Sequence, residues 1–106
     1  MGTSNGKART ARSELERMTG GPLTLRGLLV AIREGDGVTQ AEMARTLGVS
    51  RSHLCDIEKG RKTVGAARAA EFAKKLGYSS EQFVRLALQE QVSDAGLHML
   101  VKVQAA

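Results

Sequence analysis

Apolar residues recur every three or four positions through the middle of the chain, a spacing that predicts amphipathic helices. The first stripe follows Thr24, a typical N-cap residue. We expect its helix to end near Glu34, before glycines that tolerate a positive φ. Its apolar members are Leu25, Leu28, Leu29 and Ile32.

Two short helices are predicted next, and both have start and stop signals. Thr39 and Glu42 have the spacing of a capping box at the start of the second helix, and Gly48 ends it. Ser50 caps the third helix, which stops at Gly60. The apolar residues that these helices turn inward are Met43, Ala44, Leu47, Leu54 and Ile57.

A fourth and a fifth helix follow. Thr63 is the predicted cap of the fourth helix, whose small residues allow close packing, and Gly77 closes it. Ser79 or Ser80 opens the fifth helix, which we expect to reach about Gln91. The apolar residues of these two helices are Ala66, Ala69, Ala70, Phe72, Ala73, Leu76, Phe83, Leu86 and Ala87.

The period changes after Gly96, where residues alternate as they do in a β-strand. The residues on the apolar side of this alternation are Leu97, Met99, Val101 and Val103. A single strand is not stable by itself, so we infer a two-stranded ribbon across a homodimer, with these residues at the interface. The alternative is a tail folded onto the fifth helix.

These elements predict an all-α fold of five helices with a short C-terminal β-strand at a dimer interface. Aromatic residues make up only 3% of the chain, which favours packed helices over a sheet. We divide the chain into a flexible arm (1–22), one helical domain (23–92) and a C-terminal extension (93–106).

Charge and cysteine content narrow the classes of function. The formal net charge of +5 favours polyanionic partners such as nucleic acid. A lone Cys55 excludes an internal disulfide, and two histidines beside it are too few for a structural zinc site. We therefore expect neither metal nor cofactor. The chain has no apolar run long enough for a membrane span and no apparent signal peptide, so we expect a cytoplasmic protein.

The predicted arm at residues 1–22 is basic. It could follow a phosphate backbone or enter a minor groove. The alternative is a disordered tail left in part by cloning. Its cations are Lys7, Arg9, Arg12 and Arg17.

Residues 40–59, QAEMARTLGVSRSHLCDIEK, meet the demands of two helices that cross through a tight turn. Ala44 is small where the helices touch, and Gly48 occupies the turn. With SRSHLCDIEKG and the closing Leu76–Gly77, this pattern resembles the lambda-repressor-like, or Xre, family of helix-turn-helix proteins. The resemblance covers about residues 25–76.

The chain departs from the family pattern in the loop after Gly60. Lys62 and Thr63 stand where a proline normally precedes the fourth helix. The start of that helix therefore depends on Thr63 rather than on the fixed φ of a proline.

The resemblance implies that the first exposed residues of the third helix read DNA bases. They are Arg51, Ser52, Cys55 and Asp56. Arg51 is the leading candidate, because a guanidinium can bridge O6 and N7 of guanine; the alternative is a phosphate contact. Asp56 either accepts from a cytosine amino group or orients Arg51, and we favour the orienting role.

Phosphate contacts are expected around this helix. The family implies that Gln40 contacts a phosphate and supports the third helix. The position of His53 is more often solvent-exposed beside the groove. The residues assigned to phosphate binding are Thr39, Gln40, Ser50, His53, Lys59, Arg61 and Lys62. Family members also pair an Arg late in the first helix with a Glu late in the third, which implies an ion pair between Arg33 and Glu58.

The leading functional hypothesis is a transcriptional regulator, acting as a repressor, that binds a palindromic operator in double-stranded DNA as a homodimer. Its two recognition helices would be spaced by one turn of DNA, about 34 Å. One alternative is an antitoxin that neutralises a toxin protein and represses its own operon, and another is a prophage-type repressor. The sequence has no nucleophile with a base and no metal cluster, so we expect no catalysis.

Overall fold

Five α-helices form the regular secondary structure of residues 23–106, the part of the chain that the computed structural model describes. They are α1 (Leu25–Gly35), α2 (Gln40–Leu47), α3 (Arg51–Glu58), α4 (Ala66–Leu76) and α5 (Ser80–Asp94). The all-α prediction is confirmed. The predicted basic arm lies outside the described residues.

Side-chain caps begin four of these helices at predicted residues. Thr24, Ser50 and Ser79 each accept a hydrogen bond from the backbone amide three residues further on. Thr39 and Glu42 form the complete capping box of α2. The hydrogen bond from the Thr39 amide lowers the pKa of the Glu42 carboxyl, because it stabilises the carboxylate.

The start of α4 differs from the prediction. Thr63 does not cap this helix; the N-cap residue is Gly65, which makes no side-chain cap bond. The side chain of Val64 is buried in the core, so the chain passes Val64 outside a helix before α4 begins at Ala66. Burial of one apolar side chain has thus displaced the helix start past the better capping residue.

The end of α5 also differs. The helix runs to Asp94 rather than to about Gln91, so the predicted domain boundary after residue 92 falls inside it. Gly96 has a φ of 77°, and the amide of Leu97 donates to the carbonyl of Val92 at 3.2 Å. The glycine with left-handed φ stops the helix. The predicted end relied on the last apolar residues of the stripe, and the helix continues beyond them.

The buried side chains of residues 23–106 form one core between the helices. The most extensive helix contact is that of α4 with α5, where the small residues Ala69 and Ala73 are buried. Phe72 is among the largest of the fully buried side chains. Leu54 and Ile57 reach this core from α3, and they attach the third helix to the rest of the domain.

The predicted C-terminal strand does not form within the single chain, which offers it no partner strand. Residues 97–106 contain no strand and lie against α5, as the alternative interpretation held. The side-chain amide of Gln89 donates to the carbonyl of Met99 and accepts from the amide of Val101, both at 2.8 Å. It therefore makes the pair of bonds that a peptide group of a neighbouring strand would make.

The tail runs back along α5 towards the start of that helix. The carboxylate of Glu81 accepts a hydrogen bond from the amide of Ala105 at 2.8 Å. Val101 and Val103 are half-buried, while Lys102 between them is exposed. The alternation seen in the sequence thus separates a face that meets α5 from an outer face. A ribbon between two chains stays a prediction.

Candidate nucleic-acid interface

A tight turn at Gly48 joins α2 to α3. Gly48 has a φ of 75°, and its amide bonds the last carbonyls of α2. From α4, the Nζ of Lys75 donates to the carbonyl of Leu47 at 3.2 Å. Ala44 and Leu47 are buried beneath the turn. The angle between the two helices is therefore held from both sides.

Gly48→Ala is expected to destabilise the protein by roughly 1–2 kcal/mol from the left-handed backbone alone. The added Cβ would also lie 3.0 Å from the Nζ of Lys75. Gly77→Ala is the matched control, because Gly77 has a φ of 78° and nothing within 4 Å of an added Cβ. Urea denaturation should show the larger loss for Gly48→Ala. Equal losses would mean that the Lys75 contact contributes nothing.

The outer face of α3 carries the predicted base-reading residues. Arg51 and Ser52 are exposed at its first turn, whereas Cys55 and Asp56 are half-buried at its flank. Leu54 lies on the opposite side and is fully buried. The first turn of α3 is therefore the most accessible part of this surface.

A cluster around Glu58 connects α3 to α1 and α2. The carboxylate of Glu58 accepts from the Nε of Arg33 at 2.8 Å and from its Nη2 at 3.2 Å. The side-chain amide of Gln40 donates to the same carboxylate at 2.9 Å. Arg33 and Glu58 thus form the ion pair that the resemblance implies, and Gln40 braces α3 through it.

This cluster is largely withdrawn from water. The side chains of Arg33 and Glu58 are 17% and 7% exposed. The hydrogen bond to Glu58 raises the pKa of the Arg33 guanidinium. The Nη1 of Arg33 also donates a hydrogen bond to the carbonyl of Val38 at 3.4 Å. A charge in this position depends on its partner, since little water can replace it.

Asp56 does not orient Arg51. Its carboxylate instead accepts from the Nε of Arg61 at 3.0 Å. Five residues along an α-helix correspond to a rotation of about 140° beyond one full turn, so Arg51 and Asp56 diverge. The loop after Gly60 folds back, and the amide of Arg61 donates to the Asp56 carbonyl at 2.8 Å. Asp56 therefore holds Arg61 beside the end of α3.

Sequence reasoning missed Arg68, which lies next to His53. Arg68 is exposed in the first turn of α4, and its Nη1 is 3.2 Å from the Nε2 of His53. Burial, followed by the nearby Arg68 and Lys62, lowers the pKa of the His53 imidazole, while Asp56 raises it. No local pattern links two residues on different helices, so only the tertiary structure reveals this pair.

The other predicted phosphate-binding residues surround α3. The hydroxyls of Thr39 and Ser50 accept cap bonds, and each keeps an O–H that could donate to a phosphate. Lys59, Arg61 and Lys62 are exposed where α3 ends. Cations thus lie beside the outer face of α3 and beyond its last turn.

Among residues 23–106, no three potential ligands of the His, Cys, Asp and Glu types come close enough to hold a metal ion. Over the same residues, no helix combines the length and apolar character needed to cross a membrane.

The arrangement of α2 and α3 lies in a region that matches a known protein family. A family model described as helix-turn-helix matches residues 29–83, from within α1 to the start of α5. The chain belongs to this helix-turn-helix family. The match confirms the resemblance to Xre, or lambda-repressor-like, proteins, and the chain is a DNA-binding regulator of the helix-turn-helix type. Searches of curated proteins and of solved structures each gave no significant match.

The matched region includes the whole candidate interface. Arg33, Gln40 and all of α3 lie inside it, whereas residues 84–106 lie beyond it. The two helices joined by the turn at Gly48, α2 and α3, both lie within the matched region. The C-terminal tail is a feature of the chain outside the family match.

Proposed function

We propose that this helix-turn-helix protein is a sequence-specific transcriptional repressor that binds a palindromic operator as a homodimer through α3. The observation that carries the proposal is the exposed first turn of α3, a helix whose last residue, Glu58, is bonded to Arg33 and Gln40. A recognition helix must present polar side chains to the major groove in a fixed orientation. Arg51 and Ser52 are exposed polar residues at the first turn, and the Glu58 cluster holds the last turn of α3 to α1 and α2.

The proposal assigns different roles to the two parts of the interface. Bases are read by Arg51, Ser52, Cys55 and Asp56, with Arg51 donating to guanine O6 and N7. Phosphates are contacted by Thr39, Gln40, Ser50, His53, Lys59, Arg61 and Lys62. Because Asp56 holds Arg61, that guanidinium is directed to the DNA backbone at the end of α3.

The homodimer is proposed to form through the exposed apolar residues of the C-terminal tail. Leu97, Met99 and Leu100 are 48%, 62% and 88% exposed, which is unusual for side chains of this size. Val101 and Val103, which we had also assigned to dimerisation, are half-buried against α5. The exposed residues of the tail are therefore the better candidates for contact with a second copy.

Selection from a random duplex library tests the proposal. We expect the enriched sequences to contain two inverted half-sites whose centres are separated by one turn of DNA, about 34 Å. Enrichment of a single half-site would contradict the homodimer, and no enrichment would contradict sequence-specific binding.

Arg51→Ala is expected to reduce the preference for the selected operator over a scrambled duplex by roughly tenfold to a hundredfold, the value of one bidentate base contact. Fluorescence anisotropy with both duplexes measures this ratio. Arg51→Lys is the matched control, since it keeps the positive charge but loses the planar fork. An unchanged preference in both variants would contradict base reading by Arg51.

An antitoxin role stays a prediction. Co-purification with the product of a neighbouring gene would support it, and such a complex is compatible with DNA binding by the same chain.

A further inference from the structure

Arg68 and His53 lie against each other in an unusual geometry. The Nη1 of Arg68 is 3.2 Å from the Nε2 of His53 and 3.5 Å from its Nδ1. In the plane of the ring, a nitrogen at those distances would collide with the Cε1 atom between the two ring nitrogens. The Nη1 atom therefore lies over the ring face, where a guanidinium can interact favourably with an aromatic ring.

The charge of Arg68 has no carboxylate partner among residues 23–106. The ion pairs in this part of the chain are those of Arg33 with Glu58 and of Arg61 with Asp56. Arg68 also lies in the first turn of α4, where the partial positive charge of the helix end makes a cation unfavourable. An external anion would therefore compensate the charge of Arg68.

The position of Arg68 relative to α3 indicates where that anion would lie. His53 is on α3, two residues after Arg51 and one after Ser52. Lys62 is near enough to His53 to lower its pKa. Arg68 is therefore exposed beside the recognition helix, on a surface that already carries several cations.

We propose that Arg68 contacts the phosphate backbone of the bound DNA and that the ring of His53 positions it. This inference rests on the proposed DNA-binding role of α3, and it extends the interface to a third helix, α4. It also changes the role of His53, which supports a phosphate-binding residue rather than serving only as one.

The state of His53 agrees with this arrangement. Burial and the neighbouring cations lower the pKa of the imidazole, which favours the neutral form of the ring. A neutral ring accepts the guanidinium over its face, whereas an imidazolium would repel it. The groups that face His53 include Arg68 from α4, Lys62 from the preceding loop and Asp56 from α3.

The experiment measures the salt dependence of binding to a labelled random-sequence duplex, which needs no knowledge of the operator. For Arg68→Ala, we expect the slope of log K against log salt concentration to fall by about 0.9, the value of one lost phosphate contact. His53→Ala should lose a large part of the same contact. His53→Phe should restore it, because a phenyl ring offers a similar flat face.

Lys74→Ala is the matched control, since it removes one exposed cation from α4 at a position turned by about 120° from Arg68. An unchanged slope for Arg68→Ala, or an equal fall for Lys74→Ala, would overturn the phosphate contact. If His53→Phe binds no better than His53→Ala, the positioning role is wrong. Thermal melts should give all four variants a Tm near that of the parent protein; a large drop for Arg68→Ala would mean that Arg68 stabilises the fold instead.

The two proposals fail in different ways. If the parent protein prefers no sequence but Arg68→Ala still lowers the salt slope, sequence-specific repression is wrong and the Arg68 contact stands. If a palindrome is selected and Arg68→Ala changes neither the salt slope nor the affinity, the Arg68 contact is wrong and the proposed sequence-specific binding stands.

Discussion

Replacing Glu58 with alanine is expected to lower the free energy of unfolding by about 3 kcal/mol, the low end of the range for breaking a buried ion pair at one partner. The substitution would leave the guanidinium of Arg33, whose side chain is 17% exposed, without its carboxylate. It would also remove the acceptor of the Gln40 amide. Chemical denaturation followed by circular dichroism measures the loss.

Two further variants separate the ion pair from the packing around it. Glu58→Gln keeps the shape but not the charge, and it should lose part of the stability. Replacing both partners, as Arg33→Met with Glu58→Leu, should recover much of the loss, because no charge is then left unpaired. If Glu58→Gln leaves the Tm unchanged, the pairing does not stabilise the domain.

Leu54→Ala is expected to cost about 3 kcal/mol, within the range of cavity-forming substitutions in protein cores. Leu54 is 0% exposed and anchors α3 to the core. Thermal and urea denaturation measure the change. We also expect Leu54→Ala to bind DNA more weakly than the parent protein, because Ile57 is the other buried apolar residue of α3.

The same substitution at Leu100 provides the comparison. Leu100 is 88% exposed, so Leu100→Ala should change stability by less than about 0.5 kcal/mol. It should instead weaken dimer formation if the tail is the interface. A loss at Leu100 as large as that at Leu54 would contradict the position of the tail.

Most helix limits could be predicted because their signals are local. Thr24, Thr39 and Ser50 bond amides only three residues away, so the sequence itself brings donor and acceptor together. Gly48 and Gly77 stop helices through their own backbone freedom. Thr63 failed as a cap because the burial of Val64, a tertiary effect, placed the helix start two residues later.

The candidate site was less predictable than the fold. Family resemblance implied the pair of Arg33 and Glu58, which is 25 residues apart in sequence. It did not imply that Asp56 would hold Arg61, because that bond depends on how the loop after Gly60 folds back. The contact of Arg68 with His53 likewise depends on where the fold places α4 relative to α3, which no sequence spacing encodes.

The C-terminal segment shows a different limit of pattern reading. The alternation of Val101 and Val103 with exposed residues is real, but it reflects contact with a helix. Gln89 takes the place of the missing strand by bonding the tail backbone with its side-chain amide. Alternating apolar residues indicate that one side of a segment is buried and the other is exposed. The sequence does not reveal which element of the fold, a strand or a helix, covers the buried side.

The cluster at Glu58 has a consequence for how the protein meets DNA. One carboxylate binds side chains from α1 and α2 while it belongs to α3, so a tilt of α3 would break several short bonds at once. We therefore expect α1, α2 and α3 to meet the DNA as one rigid body. If the proposed homodimer forms, any adjustment to operators with different half-site spacing must come from bending of the DNA or from the contact between the two copies.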